Sequence, residues 1–274
     1  MQRALAEQAA AIRASTPGVR RGDAEALHAW RVAVRRLRTL LCALPAGRLR
    51  RTDAATLQQG WRAWAARLGP ARDADVWRAA LAEPRLRATL SATPAGRRFL
   101  AAQERRHRAA KQQQARVPAD PSYTRLLART QRLLAAGLPA DLAALGARRL
   151  EKSVRRAFRR LLAEARRRGR RLTRAERLEE THALRRAVRR ARYLAELCCA
   201  LLPRGACRLR HELAAVQETL GDVHDADVQL ERLRALPPAA ARRARHLILG
   251  RRRRAWTRYQ AAWAVLLFDL RTAK

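Results

Sequence analysis

Three features of this chain predict an all-α fold. Ala, Leu and Arg, all strong helix formers, dominate it from end to end. Runs of Val, Ile and aromatic residues alternating with polar ones, which would mark strands, do not occur. Pro and Gly punctuate the sequence at intervals suited to helices.

The punctuation orders the elements. A short first helix ends near Ser15-Thr16-Pro17-Gly18, and Asp23 is placed to cap a second helix that runs to Leu44, before Pro45 and Gly47. A helix centred on Trp61 and Trp64 stops at Gly69-Pro70, and one through Trp77 reaches Glu83-Pro84. A longer helix starts near Pro94 and continues to about Arg116; Pro121 opens another, from Ser122 to about Ala136. The stretch from Gly137 to Gly146 is the least regular and sets the expected boundary between an N-terminal part, residues 1–140, and a C-terminal part, residues 141–274. Helices over about 147–169, 173–202, 206–220 and 225–236 follow, then Pro237-Pro238 and a long final helix with room to bend at Gly250.

Two segments occur twice. HAWRVAVRRLRT begins at His28 and HALRRAVRRARY at His182, so that His28, Arg31, Arg35, Arg36 and Arg38 reappear in register as His182, Arg185, Arg189, Arg190 and Arg192. Downstream of the first copy lies LGPARDADV, from Leu68 to Val76, and downstream of the second LGDVHDADV, from Leu220 to Val228. The same order of parts in each half points to an internal duplication rather than a repeated short motif.

Periodicity decides what the repeated helix presents. At 3.6 residues per turn His28, Arg31, Arg35 and Arg38 fall within an arc of roughly 80°, with Trp30, Ala33, Val34, Leu37, Leu40, Leu41 and Leu44 opposite and Arg36 flanking the apolar face. His182, Arg185, Arg189 and Arg192 form the same stripe in the second copy, opposite Leu184, Ala187, Val188, Ala191, Ala195 and Cys198. Each helix is two-faced, with core on one side and a guanidinium row on the other.

Charge is the unusual quantity of the composition. Sixty-one Lys plus Arg against 23 Asp plus Glu give a formal charge of +38, spread along the chain. Self-repulsion of that size disfavours the compact state, which implies a polyanionic partner. Only Lys111, Lys152 and Lys274 are lysines; this suits bidentate phosphate contacts, though a coding bias toward Ala and Arg accounts for it equally well. Cys42, Cys198, Cys199 and Cys207 form no CxxC pair and sit in helical, mostly apolar contexts, so they are expected as packed thiols in a reducing compartment. The N-terminus lacks an apolar signal core and AAWAVLLF is too short to span a bilayer, so a cytoplasmic protein without a membrane partner is expected.

The motifs HAWRVAVRRLRTLLCAL and HALRRAVRRARYLAEL, with the two Leu-Gly-x-x-x-Asp-Ala-Asp-Val segments, resemble the CHAD domain, the conserved histidine α-helical domain. The likeness extends over nearly the whole chain, from about residue 2 to residue 271. It implies two pseudo-symmetric antiparallel four-helix bundles with a basic central cavity, and a family of inorganic polyphosphate binders associated with polyphosphate granules. Carried over by position, the ligand-facing set is His28, Arg31, Arg35, Arg36 and Arg38 with His182, Arg185, Arg189, Arg190 and Arg192. Among the departures between the copies, Arg186 stands where the first has Val32, and His224 where it has Arg72.

Physical chemistry supports the same ligand. A linear polyphosphate carries roughly one charge per phosphate and has no base or sugar edge to read, so a binder needs only closely spaced cations and gains affinity from counterion release. Lys152, Arg156 and Arg159, recurring on one side of the helix that holds Val154, Phe158 and Leu161, can extend the track; Arg251 to Arg254 is read as a solvated run that could also join the binding surface. The stripe histidines have no acid placed by sequence to orient them, and are expected to donate hydrogen bonds and to add charge below a pH of about 6.5. His107, His211, His224 and His246 share no pattern and receive no role.

Other chemistries fit less well. Asp73 with Asp75, and Asp225 with Asp227, could hold a divalent ion, but each pair follows a Leu-Gly break where Asp can cap the next helix and pair with Arg, so no metal and no cofactor are expected. Enzymatic turnover is not expected either, since there is no GxxxxGK[ST] and no nucleophile beside a base. The competing reading is an architectural, sequence-nonspecific nucleic-acid binder, which so basic a chain would resemble at low salt. Base reading favours Asn or Gln beside Arg, and the chain has no Asn; Trp30, Trp61, Trp64 and Phe158, which could stack on bases, fall on faces expected to be buried.

Overall fold

The computed structural model describes residues 1–45, 51–137, 146–172 and 178–272. All regular structure among them is helical. The first seven helices are α1 (Gln2–Arg20), α2 (Ala24–Ala43), α3 (Arg51–Arg67), α4 (Gly69–Leu81), α5 (Pro84–Ser91), α6 (Pro94–Arg116) and α7 (Pro121–Arg132). They are followed by α8 (Ala147–Arg171), α9 (Leu178–Leu197), the short α10 (Arg204–Arg208), α11 (Arg210–Arg232) and α12 (Pro238–Thr272). The expected boundary between residues 140 and 141 and the expected helix start at 173 lie outside the described residues. No helix among the described residues is long and apolar enough to cross a membrane.

The chain forms two compact units, and each draws on more than one stretch of sequence. One contains Met1–Val76 with Arg106–Ala157, the other Trp77–Arg105 with Phe158–Lys274. The segment from Trp77 to Arg105 belongs with the later residues because of what it buries. Trp77, Leu81, Leu86, Leu90 and Phe99 share one apolar cluster with Ala226, Leu233 and Leu236 and with Ala241, Ala244 and Ile248 of α12. Apolar burial at about 25 cal/mol per Å² makes such a cluster decisive for the grouping of helices.

In the first unit α1 packs along α2, and α3 and α7 close the bundle. Tyr123 of α7 lies among Trp30, Trp61 and Trp64, with ring centroids 6.4, 5.9 and 5.3 Å away. Its hydroxyl accepts from Trp30 Nε1 at 2.8 Å and bonds Thr16 Oγ1 at 2.7 Å, while Trp61 Nε1 donates to Thr130 Oγ1 at 3.0 Å. Polar ends satisfied in this way let indole and phenol rings fill a core without an unpaired donor. Trp30, Trp61, Trp64 and Phe158 are all buried, as the periodicity predicts.

Three local expectations are corrected. α1 runs through Pro17 to Arg20, because Ile12, Thr16 and Val19 stay buried on the face packed along α2. α11 passes unbroken through Leu220-Gly221, which the sequence marks as a stop; one interior glycine costs only about 1 kcal/mol, and Leu213, Val216, Leu220 and Val223 are fully buried around it. Cys199 and Cys207 are not packed thiols but a disulfide, formed where the chain turns between α9 and α11 and brings their Cα atoms to 5.5 Å. That pair withdraws the cysteine argument for a reducing compartment. Cys42 and Cys198 are free, and burial pushes the Cys198 thiol up to about 11.

Candidate anion-binding site

The basic rows begin at well-built helices. Asp23 caps α2 by accepting from the backbone N–H groups of Glu25 at 2.8 Å and Ala26 at 3.2 Å, which matches its predicted role. Leu27, Trp30, Val34, Leu37 and Leu40 are fully buried, so the register of α2 is locked by its apolar face. Arg31, Arg35, Arg36 and Arg38 are consequently half-buried, and His28, a turn earlier, is exposed. In α9, Leu184, Val188, Ala191 and Ala195 are fully buried, which leaves His182, Arg185, Arg189, Arg190 and Arg192 half-buried.

Arg31 is fixed by the backbone of α3. Its Nη1 donates to the carbonyl of Ala65 at 3.0 Å and lies 3.7 Å from where a β-carbon on Gly69 would stand. Burial lowers its pKa, with Arg35 acting in the same direction and Asp73 against it, but a guanidinium keeps its charge at neutral pH. Arg35 carries a buried Nε without a hydrogen-bond partner. In the second row Arg185 Nη2 lies 3.6 Å from the corresponding position on Gly221. Arg192 is tied to Glu196 at 3.1 Å and lies over the ring of Tyr193.

Sequence reasoning missed residues that complete both surroundings. Arg72 is close enough to His28 to depress its pKa, second only to partial desolvation, with Arg35 adding to the effect and Glu25 opposing it. At the matching place in the second row, His224, to which the sequence assigned no role, meets His182: His182 Nε2 and His224 Nδ1 are 2.5 Å apart and the ring centroids 4.1 Å. Burial, then Arg185, His182 and Arg189, hold His224 down at about 4. Burial followed by Arg185 and Arg186 also lowers His182, against the pull of Asp227. The expected charging of the stripe histidines near pH 6.5 is therefore displaced to lower pH in the ligand-free protein. The one available signal was the register, since His224 occupies the place of Arg72 in the repeated segment.

The aspartate pairs lie inside helices and cap nothing, a second correction to the Leu-Gly reading. Asp75 is buried and bonded by His107 Nε2 at 2.9 Å and Lys111 Nζ at 3.0 Å. Asp227 accepts from Arg252 Nε at 2.5 Å. Both carboxylates thus neutralise protein cations, and Arg252 and Arg251, bonded to Asp227 and Glu83, are not merely solvated. Lys152, Arg156 and Arg159 are exposed on α8, on the side away from buried Val154, Phe158 and Leu161.

Chemically, each row offers half-buried guanidiniums held by an apolar helix face, with histidine beside them. Such groups form bidentate, charge-assisted hydrogen bonds to oxyanions, and partial burial shields them from screening. A family model described as the CHAD domain matches residues 3–234. The chain belongs to the CHAD domain family. The CHAD fold extends over essentially the whole chain: the crystal structure of the CHAD domain from the plant Ricinus communis superposes with a TM-score of 0.62, covering 97% of this chain and 91% of that one at 24% sequence identity. No curated protein matches the chain.

Proposed function

We propose that this CHAD domain binds inorganic polyphosphate through its two arginine and histidine rows, without catalysing its turnover, and thereby associates with polyphosphate granules. The observation that carries the reading is the recurrence of the same build in both repeats: Arg31 against Gly69 and Arg185 against Gly221, each at the start of a half-buried basic row. Guanidiniums fixed in this way meet phosphate oxygens with little ordering cost, and a net charge of +38 supplies long-range attraction. Neither row carries an Asn or Gln beside its arginines, the side chains that read adenine.

A competition titration at physiological salt between long-chain polyphosphate and duplex DNA tests this. Preference for polyphosphate supports the reading; preference for DNA favours the architectural nucleic-acid binder and overturns it. Ligand should also raise the melting temperature, since binding only the native state at 100 times Kd stabilises it by about 2.7 kcal/mol.

A further inference from the structure

His182 and His224 come from helices α9 and α11 and place one ring nitrogen of each 2.5 Å apart. Only one hydrogen fits between two nitrogens at that separation, so the contact is an N–H···N bond in which one imidazole donates and the other accepts. In the neutral pair the remaining hydrogen sits on one outer nitrogen and the other outer nitrogen is a bare lone pair. Adding one proton makes both outer nitrogens donors. A second would put two N–H groups face to face, so the pair accepts one proton and not two. The first repeat has no such pair, because Arg72 holds the position of His224 and is charged at every relevant pH.

We infer that the second repeat binds the phosphate chain together with one proton, which the His182–His224 pair takes from solvent, making His224 a further ligand-binding residue. The inference rests on the polyphosphate reading proposed above. Every charged group bearing on the pair fits it. Arg185, Arg186 and Arg189 of α9 oppose protonation in the free protein, and Asp227 of α11, itself bonded to Arg252 of α12, favours it. Phosphate oxygens at Arg185 and Arg189 offset those arginines, removing the repulsion that keeps the pair neutral. The proton becomes part of the binding equilibrium, and affinity for the polymer rises as pH falls by up to about tenfold per pH unit.

Isothermal titration of the full chain with long-chain inorganic polyphosphate, in buffers of different ionisation enthalpy at the same mildly acidic pH, counts the protons taken up. Wild-type protein should take up more than the His224→Arg variant by about one proton, and the variant's affinity should depend less on pH. The His246→Gln variant, exposed on α12 and outside both rows, should keep the wild-type uptake. Histidine nitrogen shifts of the wild type, recorded with and without polyphosphate, test the same point without any substitution; protonation should appear on His182 and His224. Equal uptake by wild type and His224→Arg, or unchanged histidine signals in the bound wild type, overturns the inference while leaving polyphosphate binding intact. Failure of the wild type to bind polyphosphate at any pH overturns both.

Discussion

The Arg185 guanidinium lies over Gly221, its Nη2 3.6 Å from the place a β-carbon there would occupy, and Arg31 stands over Gly69 in the same way at 3.7 Å. The Leu-Gly step of each repeated segment therefore serves as the floor beneath the first arginine of the basic row, both where one helix ends and the next begins, between α3 and α4, and where α11 runs through it. Small side chains can be accommodated at that separation, and large ones cannot.

Substitutions at Gly221 should separate stability from binding. A methyl at 3.6 Å makes ordinary contact, and alanine inside a helix is favoured over glycine by about 1 kcal/mol, so Gly221→Ala should raise the melting temperature and leave polyphosphate affinity nearly unchanged. Gly221→Leu should displace Arg185 and weaken binding several-fold, as read by titration against the same polymer. Equal binding by both variants would show that the position of Arg185 is immaterial.

Charge reversal should distinguish the rows from other surface arginines. Arg35→Glu or Arg189→Glu, each in a half-buried row, should lower polyphosphate affinity much more than Arg253→Glu, which alters an exposed residue of α12. Each row reversal should also flatten the dependence of log K on log salt, by about one to two phosphate contacts. Similar losses at all three positions would reduce the rows to ordinary surface charge.

The depressed pKa of His224 has a consequence for stability in the absence of ligand. It is held at about 4, against an ordinary 6.5 in the unfolded chain, so between those values the unfolded state binds more protons than the native one. Stability is fully present above pH 6.5 and falls as pH drops toward 4. Denaturant titrations across that window should show wild type losing stability relative to His224→Gln; parallel curves would place His224 in a solvated setting.

Thiol chemistry checks the turn between α9 and α11. Under non-reducing conditions the native protein should offer at most Cys42 to an alkylating reagent, because Cys199 and Cys207 are bonded and Cys198 is buried with its thiol pushed up to about 11. Reduction should expose two more reactive thiols and lower stability by roughly 2–3 kcal/mol, the chain-entropy value for so short a loop. Labelling of Cys199 before reduction would contradict the bonded pair.

Much of this molecule is legible in a single pass along the chain. The helical class, the burial of Trp30, Trp61, Trp64 and Phe158 and the half-buried arginine rows all follow from residue type and a period of 3.6, because a helix fixes which side chains share a face within a turn or two. Asp23 as a cap is equally local, since the groups it satisfies lie within three residues of it. The repeat of His28 to Arg38 at His182 to Arg192 needs no coordinates at all.

Other features depend on which helix crosses which. His182 and His224 are 42 residues apart, and nothing in the periodicity of either helix says that their rings touch. The contact arises because buried apolar residues of α9 and α11 hold the two helices together at that point. Leu-Gly looks like a terminus in one dimension, yet α11 continues through it because packing outweighs the roughly 1 kcal/mol cost of one glycine. The amino-acid sequence by itself determined the helical class, the face that each repeated helix buries and the charge on the other. The tertiary structure decided which charges and rings meet, because that choice is made by long-range apolar burial, to which local periodicity is blind.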